Sequence, residues 1–366
     1  MKLLIDASAA RGTPVGIGRY LQRVTPVLSR SCEVTVLTSD AGLFADSGSR
    51  VIAIPDWTRT NSGRVFWELV YLRRFCSAEY DALLCSTPFA PPSITLPTIA
   101  IVHDLTPLMT PSLHLARHKV LFWLSVQTLR WADAIVAVSH HTEADLTTRL
   151  GFIPSKRLTV VPEGPGVIPT RTDSAFASSY KPYVLYVGGH GAHKNVRRLV
   201  AAFARLTVSR DLRLVVVGWG SKTDTATTWD TVCRFRVADR VVMLSNIDDS
   251  QLSSLYSGCQ AFVFPSLYEG FGLPVLEALA HGAPTACSGT SSIPEVAGSA
   301  AIYFDPLSIA DIARKVQMLL DDHSLAEALR KAGPRRAARF SWETTADGIH
   351  RIAQGLLRGS DGTKST

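Results

Sequence analysis

Cysteine is scarce in this chain: 366 residues carry six, Cys32, Cys76, Cys85, Cys233, Cys259 and Cys287, and none stands in a CxxC pair. That spacing argues against a zinc ribbon or a disulfide framework and fits a reducing compartment, with most of the thiols serving as small apolar core residues. A long apolar span is missing too. The longest uncharged run, residues 82–102, contains Pro88, Pro91, Pro92 and Pro97, and such repeated breaks exclude a membrane-crossing helix. The opening MKLLIDAS carries an apolar stub, but Asp6 interrupts it before a signal-peptide core forms. A cytoplasmic protein that meets membranes only peripherally is expected. His140 and His141 have no third ligand nearby, and adjacent helical residues point apart, so no metal site is expected. In Gly16-Ile17-Gly18-Arg19-Tyr20-Leu21 a leucine occupies the place of the third glycine of a dinucleotide fingerprint, which speaks against a dehydrogenase.

Acidic residues are outnumbered, 31 against 38 basic, for a net charge of +7. The excess attracts polyanions, among which nucleic acid, anionic lipid and phosphorylated substrates are not distinguished by composition. With 46% hydrophobic and 19% charged residues the chain is globular, and its length favours two domains, each burying its own core.

The organising stretch is Phe264 to Gly282, FPSLYEGFGLPVLEALAHG. The apolar run from Gln260 reads as the end of a buried parallel strand. Gly270 and Gly272 then permit unusual backbone geometry, Pro274 suits a first helical turn, and the helix start offers N–H groups and a positive dipole end to an anion such as phosphate. Glu269 in the loop and Glu277, expected in the first helical turn, flank that start with seven residues between them. Carboxylates there suit a ligand with hydroxyls on both sides of a phosphate, such as a nucleotide-sugar. Each also has a plainer reading: Glu277 complements the dipole, and Glu269 is a solvated loop residue.

The segment PSLYEGFGLPVLEALAHGAP closely resembles the signature of glycosyltransferase family 4, retaining enzymes of the GT-B fold. The resemblance implies that Glu269 contacts hydroxyls of the donor sugar and Glu277 the nucleotide ribose, with Gly270, Phe271, Gly272 and Leu273 forming the donor-binding turn. Upstream, GGHGAHKN (Gly188 to Asn195) repeats the theme of strand, glycine-rich turn and basic helix start, which places Lys194 to meet a diphosphate and stabilise the leaving group. Lys194 resembles the family's phosphate-binding lysine. The arginine that many relatives place a few residues earlier is absent, and His190, Arg19 or Arg197 are the candidate replacements.

In the first half, strands are expected at Lys2–Asp6, Glu33–Leu37, Val51–Ile54, Ala82–Cys85, Thr98–Val102, Ala134–Ser139 and Leu158–Val161, with a helix from about Arg19 to Leu28. The resemblance brings the loop after the first strand, with Gly16 and Gly18, close to donor phosphate and acceptor. His103-Asp104 follow a strand end, where ligands gather in open α/β sheets. A strand-end histidine also often serves structure alone, but IVHDLTPL resembles the family's active-site loop, so His103 is expected as an active-site contact and Asp104 as an orienting residue. Residues 58–75 and 112–131 mix basic and aromatic side chains in amphipathic patterns that fit either an anionic membrane surface or packing on a sheet.

Residues 162–182 read as a Pro/Gly-rich linker. A second α/β alternation follows, with strands at Tyr183–Val187, Leu212–Val217, Val241–Leu244, Ala283–Ala286 and Ala301–Phe304, and Asp248 capping a helix rather than holding a metal. SIPEVAG, from Ser292, reads as a turn whose Glu295 supports the site or caps the turn. The expected architecture is α/β: two facing Rossmann-like domains with a cleft between them, residues 1–165 on the acceptor side and 166–340 on the nucleotide-sugar side. Residues 341–366 form a helix from Trp342 to about Leu357 that crosses back to the first domain, and a disordered tail. The chemistry implied is metal- and cofactor-free retaining transfer, with front-face attack because no covalent nucleophile stands out. GIGRY, HDLTP and EGFGLP resemble elements of bacterial mannosyltransferases of O-antigen, capsule or exopolysaccharide assembly, so GDP-mannose is the first-choice donor and a glycan or lipid-linked saccharide the acceptor. UDP-, dTDP- or other GDP-sugars are the alternatives, and a non-catalytic protein binding nucleotide-sugars or anionic surfaces is the alternative of another class. No nucleic-acid partner is expected.

Overall fold

The computed structural model describes residues 1–12, 16–110, 116–170, 174–218 and 220–361. The chain divides into two compact units, Met1–Gly164 together with the segment from Ser341, and Pro165–Phe340.

In the first unit, β1 (Lys2–Asp6), β2 (Glu33–Thr38), β3 (Arg50–Ala53), β4 (Ala82–Cys85), β5 (Thr98–Val102), β6 (Ala134–Ala137) and β7 (Leu158–Val160) form one parallel sheet ordered β3-β2-β1-β4-β5-β6-β7. Its central strands are apolar without alternation because both faces are covered: every residue of β4 and β5 is buried. One core cluster gathers Leu4, Leu37, Trp67, Leu83 and Phe89, and another Val102, Val126, Leu129, Ile135 and Leu146. The strand order reverses between β1 and β4, the topological position at which open α/β sheets bind ligands. The helix Ile17–Leu28 packs on the C-terminal helix Trp342–Asp361, with Tyr20 edge-on to Trp342 at 5.3 Å and Ile349 and Ala353 fully buried. Each large side chain buried this way contributes about 1.5–3 kcal/mol. The C-terminal helix thus crosses back to the first unit and runs to Asp361; residues 362–366 of the expected tail lie outside the described residues.

Residues 58–75 are not one amphipathic helix. A 3₁₀ turn at Asp56–Arg59 leads to the helix Asn61–Phe66, capped by Thr60, whose hydroxyl accepts from Gly63 N at 3.0 Å; a π turn at Trp67–Tyr71 and a 3₁₀ turn at Leu72–Arg74 follow. The wider π turn stacks Trp67 on Tyr71 with parallel rings 6.3 Å apart and carries the Trp67 indole into the core, where its Nε1 donates to Asp6 at 3.3 Å. In the second such segment, residues 111–115 lie outside the described residues. Its helix Ala116–Gln127 sends Val126 into the core while leaving Val120, Trp123 and Leu124 exposed. Packing on the sheet accounts for only one side of that pattern.

In the second unit, β8 (Tyr183–Val187), β9 (Arg213–Val217), β10 (Val241–Leu244), β11 (Ala261–Phe264), β12 (Thr285–Ser288) and β13 (Ile302–Phe304) form a parallel sheet ordered β10-β9-β8-β11-β12-β13. Here the order reverses between β8 and β11, so the two glycine-rich turns leave neighbouring strands at the same edge. Asp248 caps the helix Asp249–Gly258 through a reciprocal box with Gln251. The SIPEVAG segment contains a short helix, Ile293–Ala297, whose Glu295 and Val296 carbonyls accept from Arg336. The strand expected at Ala283–Ala286 lies two residues later, beyond Pro284, which has no N–H for a ladder. Of the expected linker, residues 171–173 lie outside the described residues.

Candidate active site

The residues expected to act fall into two groups, one in each unit. In the second unit, the turn after β8 ends in Ala192–Lys194, and Asn195 follows in the left-handed region (φ 60°). Asparagine tolerates that conformation, and here its buried amide donates to the carbonyls of Pro265 at 2.9 Å and Pro306 at 2.8 Å, while its carbonyl accepts from Arg198 at 2.8 Å. One side chain thereby ties the lysine turn to the turn after β11. Leu267 N donates to His193 O at 2.8 Å and adds a backbone link. Lys194 Nζ consequently lies 2.7 Å and 3.0 Å from the two carboxylate oxygens of Glu269, a half-buried pair with 22% and 12% of the side chains exposed. Charge-assisted bonds of this kind are stronger than neutral ones.

The glutamate loop is held from its other side. Glu269 N donates to Ser291 Oγ at 3.1 Å, and Ser292 Oγ lies 3.0 Å and 2.9 Å from the Glu269 and Phe271 carbonyls, to which it donates. Gly272 takes φ +106° and heads the helix Leu273–Ala280, which has Pro274 in its first turn; that conformation is natural to glycine alone. Phe271 turns into the core, edge-on to Phe340 at 5.8 Å, so its backbone rather than its ring is what the turn presents. Glu277 lies in the second turn of the helix rather than the first, and it is buried: Oε1 accepts from Val167 N at 3.1 Å and Oε2 from the Tyr256 hydroxyl at 2.8 Å. His281 stacks on Tyr256 at 5.2 Å, and burial holds its pKa below the ordinary value. The neutral ring donates from Nδ1 to Glu277 O at 2.7 Å and accepts at Nε2 from Ser253 Oγ at 2.9 Å. His190 is no replacement cation: it is buried beside Thr228 at 3.2 Å, and desolvation lowers its pKa so that it stays neutral at pH 7. Arg197 is exposed.

In the first unit, His103 follows β5, with Nδ1 2.8 Å from Glu163 Oε1 and its ring edge-on to Tyr20 at 4.7 Å. Its Nε2 is buried and has no hydrogen-bond partner among the described residues. Asp104 accepts from Thr106 N at 2.8 Å and so orders the loop rather than the imidazole. The first helix starts at Ile17, two residues earlier than expected; Gly16 caps it at φ +51° and Gly18 is a buried helical residue rather than a loop residue. Residues 13–15 of that loop lie outside the described residues.

Sequence reasoning missed two features of the first unit. Glu163 sits in VPEGPG and is masked by its Pro/Gly surroundings. The other is a charged cluster at the carboxyl ends of β1 and β4. Asp6, fully buried, lies 3.3 Å from Ser8 N and 3.1 Å from Ser8 Oγ, and burial raises its pKa. Glu68 lies 3.3 Å from Arg64 Nη1 and 2.8 Å from the Thr87 hydroxyl, yet burial, opposed by Arg64 and reinforced by Asp6, pushes its pKa up to about 7. Arg64 also lines a cavity of about 200 Å³ with Asn61, Val65, Pro107, Phe122 and Ser125. Among the described residues no group of three His, Cys, Asp or Glu side chains is disposed to hold a metal ion. His140 instead pairs with Glu143 at 3.0 Å and His141 with Asp145 at 3.4 Å.

Comparison with known proteins gives a consistent result over most of the chain. Residues 14–165 match the model described as Glycosyltransferase Family 4, and residues 171–336 the model described as Glycosyl transferases group 1. The O-antigen chain mannosyltransferase B of Escherichia coli is 27% identical, over 94% of this chain and 97% of its own. Sucrose-phosphate synthase from Thermosynechococcus elongatus superposes with a TM-score of 0.81 at 20% identity, covering 98% of this chain and 99% of that one. Anabaena HepE, solved in complex with UDP and glucose, gives 0.77 at 15% identity, covering 97% of this chain and all of that one, 100%. The structural likenesses carry the fold, and together with the two family models they establish that the chain belongs to the glycosyltransferases of the GT-B fold, with a family 4 first half and a group 1 second half, and resembles bacterial mannosyltransferases.

Proposed function

We propose that this glycosyltransferase moves a hexose, with retention at the anomeric carbon, from a nucleotide-sugar to a saccharide or lipid-linked saccharide in bacterial surface-polysaccharide synthesis, and that the donor is GDP-mannose. The observation that carries the reading is the Lys194–Glu269 pair beside the Gly272 helix start. A nucleotide-sugar satisfies both partners at once: the diphosphate takes the ammonium and the dipole end, and a sugar hydroxyl donates to the carboxylate. Glu277 faces the ribose on this reading, and Gly270 and Leu273 present backbone to the donor. The acceptor oxygen bonds to the anomeric carbon as its bond to the phosphate oxygen breaks. The acceptor proton passes to that departing phosphate, whose charge Lys194 stabilises. His103 contacts donor sugar or acceptor, and Gly16 and Gly18 lie at the loop nearest both. The mannosyl choice is supported by the named activity of the Escherichia coli relative.

A peripheral contact with an anionic membrane belongs to the same reading. No helix among the described residues is long and apolar enough to cross a membrane. Trp57, Phe66, Leu69, Val120, Trp123 and Leu124 are each 40% or more exposed on the first unit, with Arg59, Arg73 and Arg74 exposed near the first three. Apolar anchors beside cationic side chains suit a surface of anionic headgroups.

Thermal stabilisation across GDP, UDP, dTDP and ADP and their common sugar conjugates tests the donor, since a ligand bound to the native state at 100 times its Kd adds about 2.7 kcal/mol. GDP and GDP-mannose are expected to give the largest shifts; preference for another nucleotide replaces the donor.

A further inference from the structure

We infer that Glu163 is the positioning residue of His103, fixing its ring with the proton on Nδ1, and that the C-terminal helix holds Glu163 in place. Neither the resemblance nor the named relatives assign Glu163 a role, and the inference rests on the reading that His103 faces substrate. A carboxylate only accepts, so the 2.8 Å contact requires the proton on Nδ1. In the neutral ring Nε2 then carries a bare lone pair, and it is the buried, unpartnered atom of the pair. Buried polar atoms seldom lack partners, which points to a ligand group opposite. In that form Nε2 accepts, and a sugar hydroxyl is a donor that fits it.

The clamp on Glu163 comes from one helix. Thr345 Oγ1 donates to Pro162 O at 2.6 Å. A Cβ on Gly164 would stand 2.7 Å from Trp342 N and 2.8 Å from its indole, and a Cβ on Gly348 would stand 2.8 Å from the Val161 side chain. Val161, Pro162 and Gly164 therefore all abut the first two turns of the C-terminal helix, with Glu163 between them, itself only 4% exposed. Tyr20 completes the frame: its ring lies edge-on to His103 and also to Trp342, at 4.7 Å and 5.3 Å. Imidazole, carboxylate and helix start are thus braced against one another within the first unit.

The test combines ¹⁵N NMR of the His103 ring with turnover of GDP-mannose to GDP by the full chain. Wild type is expected to show the Nδ1–H form. Glu163→Ala is expected to lose it and to lower kcat on the order of 100-fold, the scale of a misplaced active-site group, with the donor KM changed less than about threefold. Glu163→Gln, whose amide oxygen still accepts, is expected to keep the Nδ1–H form and recover much of kcat, and it guards against misfolding of the alanine variant. A Glu163→Ala protein that is folded, retains the Nδ1–H signal and turns over at the wild-type rate overturns the proposal. His103→Ala separates the two readings. Wild-type turnover in that variant removes His103 from the substrate and overturns the underlying reading, whereas slow turnover beside an unaffected Glu163→Ala refutes the positioning role alone.

Discussion

The Lys194 ammonium and the Glu269 carboxylate meet in a two-point contact of 2.7 and 3.0 Å, each residue delivered by the turn that follows one of two neighbouring strands, β8 and β11. On the proposed reading they neutralise each other until a ligand bearing an anion and a hydroxyl takes both. The variants should therefore separate the two halves of the donor. Lys194→Ala is expected to reduce turnover on the order of 10²-fold, as loss of one electrostatic stabiliser does. Glu269→Gln is expected to leave the thermal shift with free nucleotide within about 1 °C of wild type while removing the extra shift with the sugar conjugate, since only the conjugate offers hexose hydroxyls to the carboxylate. Equal losses with nucleotide and conjugate would refute that division.

Glu277 has a double cost. Glu277→Ala strands Val167 N and removes the acceptor of the Tyr256 hydroxyl in a buried place, so a stability loss of about 1–3 kcal/mol is expected in denaturant unfolding. Nucleotide affinity should fall on the order of tenfold as well, about 1.4 kcal/mol. Isothermal titration on the folded fraction distinguishes the two, and unaltered affinity would remove Glu277 from the ribose.

Glu68 sets a pH dependence. Its folded pKa of about 7 lies above the ordinary 4.5, so between these values the native state holds a proton that the unfolded chain has released. Its contribution to stability is present in full below about pH 4.5 and is lost as pH rises through about 7, on the order of 1–3 kcal/mol in all. Glu68→Gln keeps an acceptor for Arg64 and Thr87 and cannot titrate. The difference between wild-type and variant unfolding free energies is expected to change over this window and level off above it; a constant difference from pH 4.5 to 7.5 would contradict the assignment.

The exposed apolar side chains of the first unit give a fourth expectation. Co-sedimentation with phosphatidylglycerol vesicles should exceed that with phosphatidylcholine vesicles and weaken with salt. Trp123→Ser combined with Phe66→Ser should lower it severalfold without moving the melting temperature by more than about 2 °C, because both residues are half exposed. Binding that is indifferent to lipid charge and to these substitutions would sink the membrane contact.

Much of the fold is legible in the sequence because parallel strands buried on both faces are short apolar runs. Segments such as TIAIV (Thr98–Val102) and YVLYV (Tyr183–Val187) leave little alternative, and Gly188 and Gly189 mark where the turn after the second must start. Periodicity could not show the π turn at Trp67–Tyr71, since an amphipathic pattern looks the same whether the helix is regular or widened to bring Trp67 under Asp6. The turns bearing Lys194 and Glu269 are equally legible as strand-to-helix turns. Their meeting is not, because it depends on strand order and on Asn195 reaching Pro265 and Pro306. Glu163 and the Asp6–Glu68 cluster were hidden for a related reason: what makes them unusual is burial and a partner 60 or more residues away, and local composition carries no trace of either.

The C-terminal helix has a consequence for how the protein is made. The helix Ile17–Leu28 and the Pro162–Gly164 segment are synthesised early, but the surface they pack against, from Trp342 through Ala353, is made only after the whole second unit. Pro165–Phe340 has all its strands in hand by then and can close its sheet on the ribosome. The unit begun first is therefore finished last, and the contacts that Tyr20 and Glu163 make with His103 are braced only once the helix Trp342–Asp361 has docked.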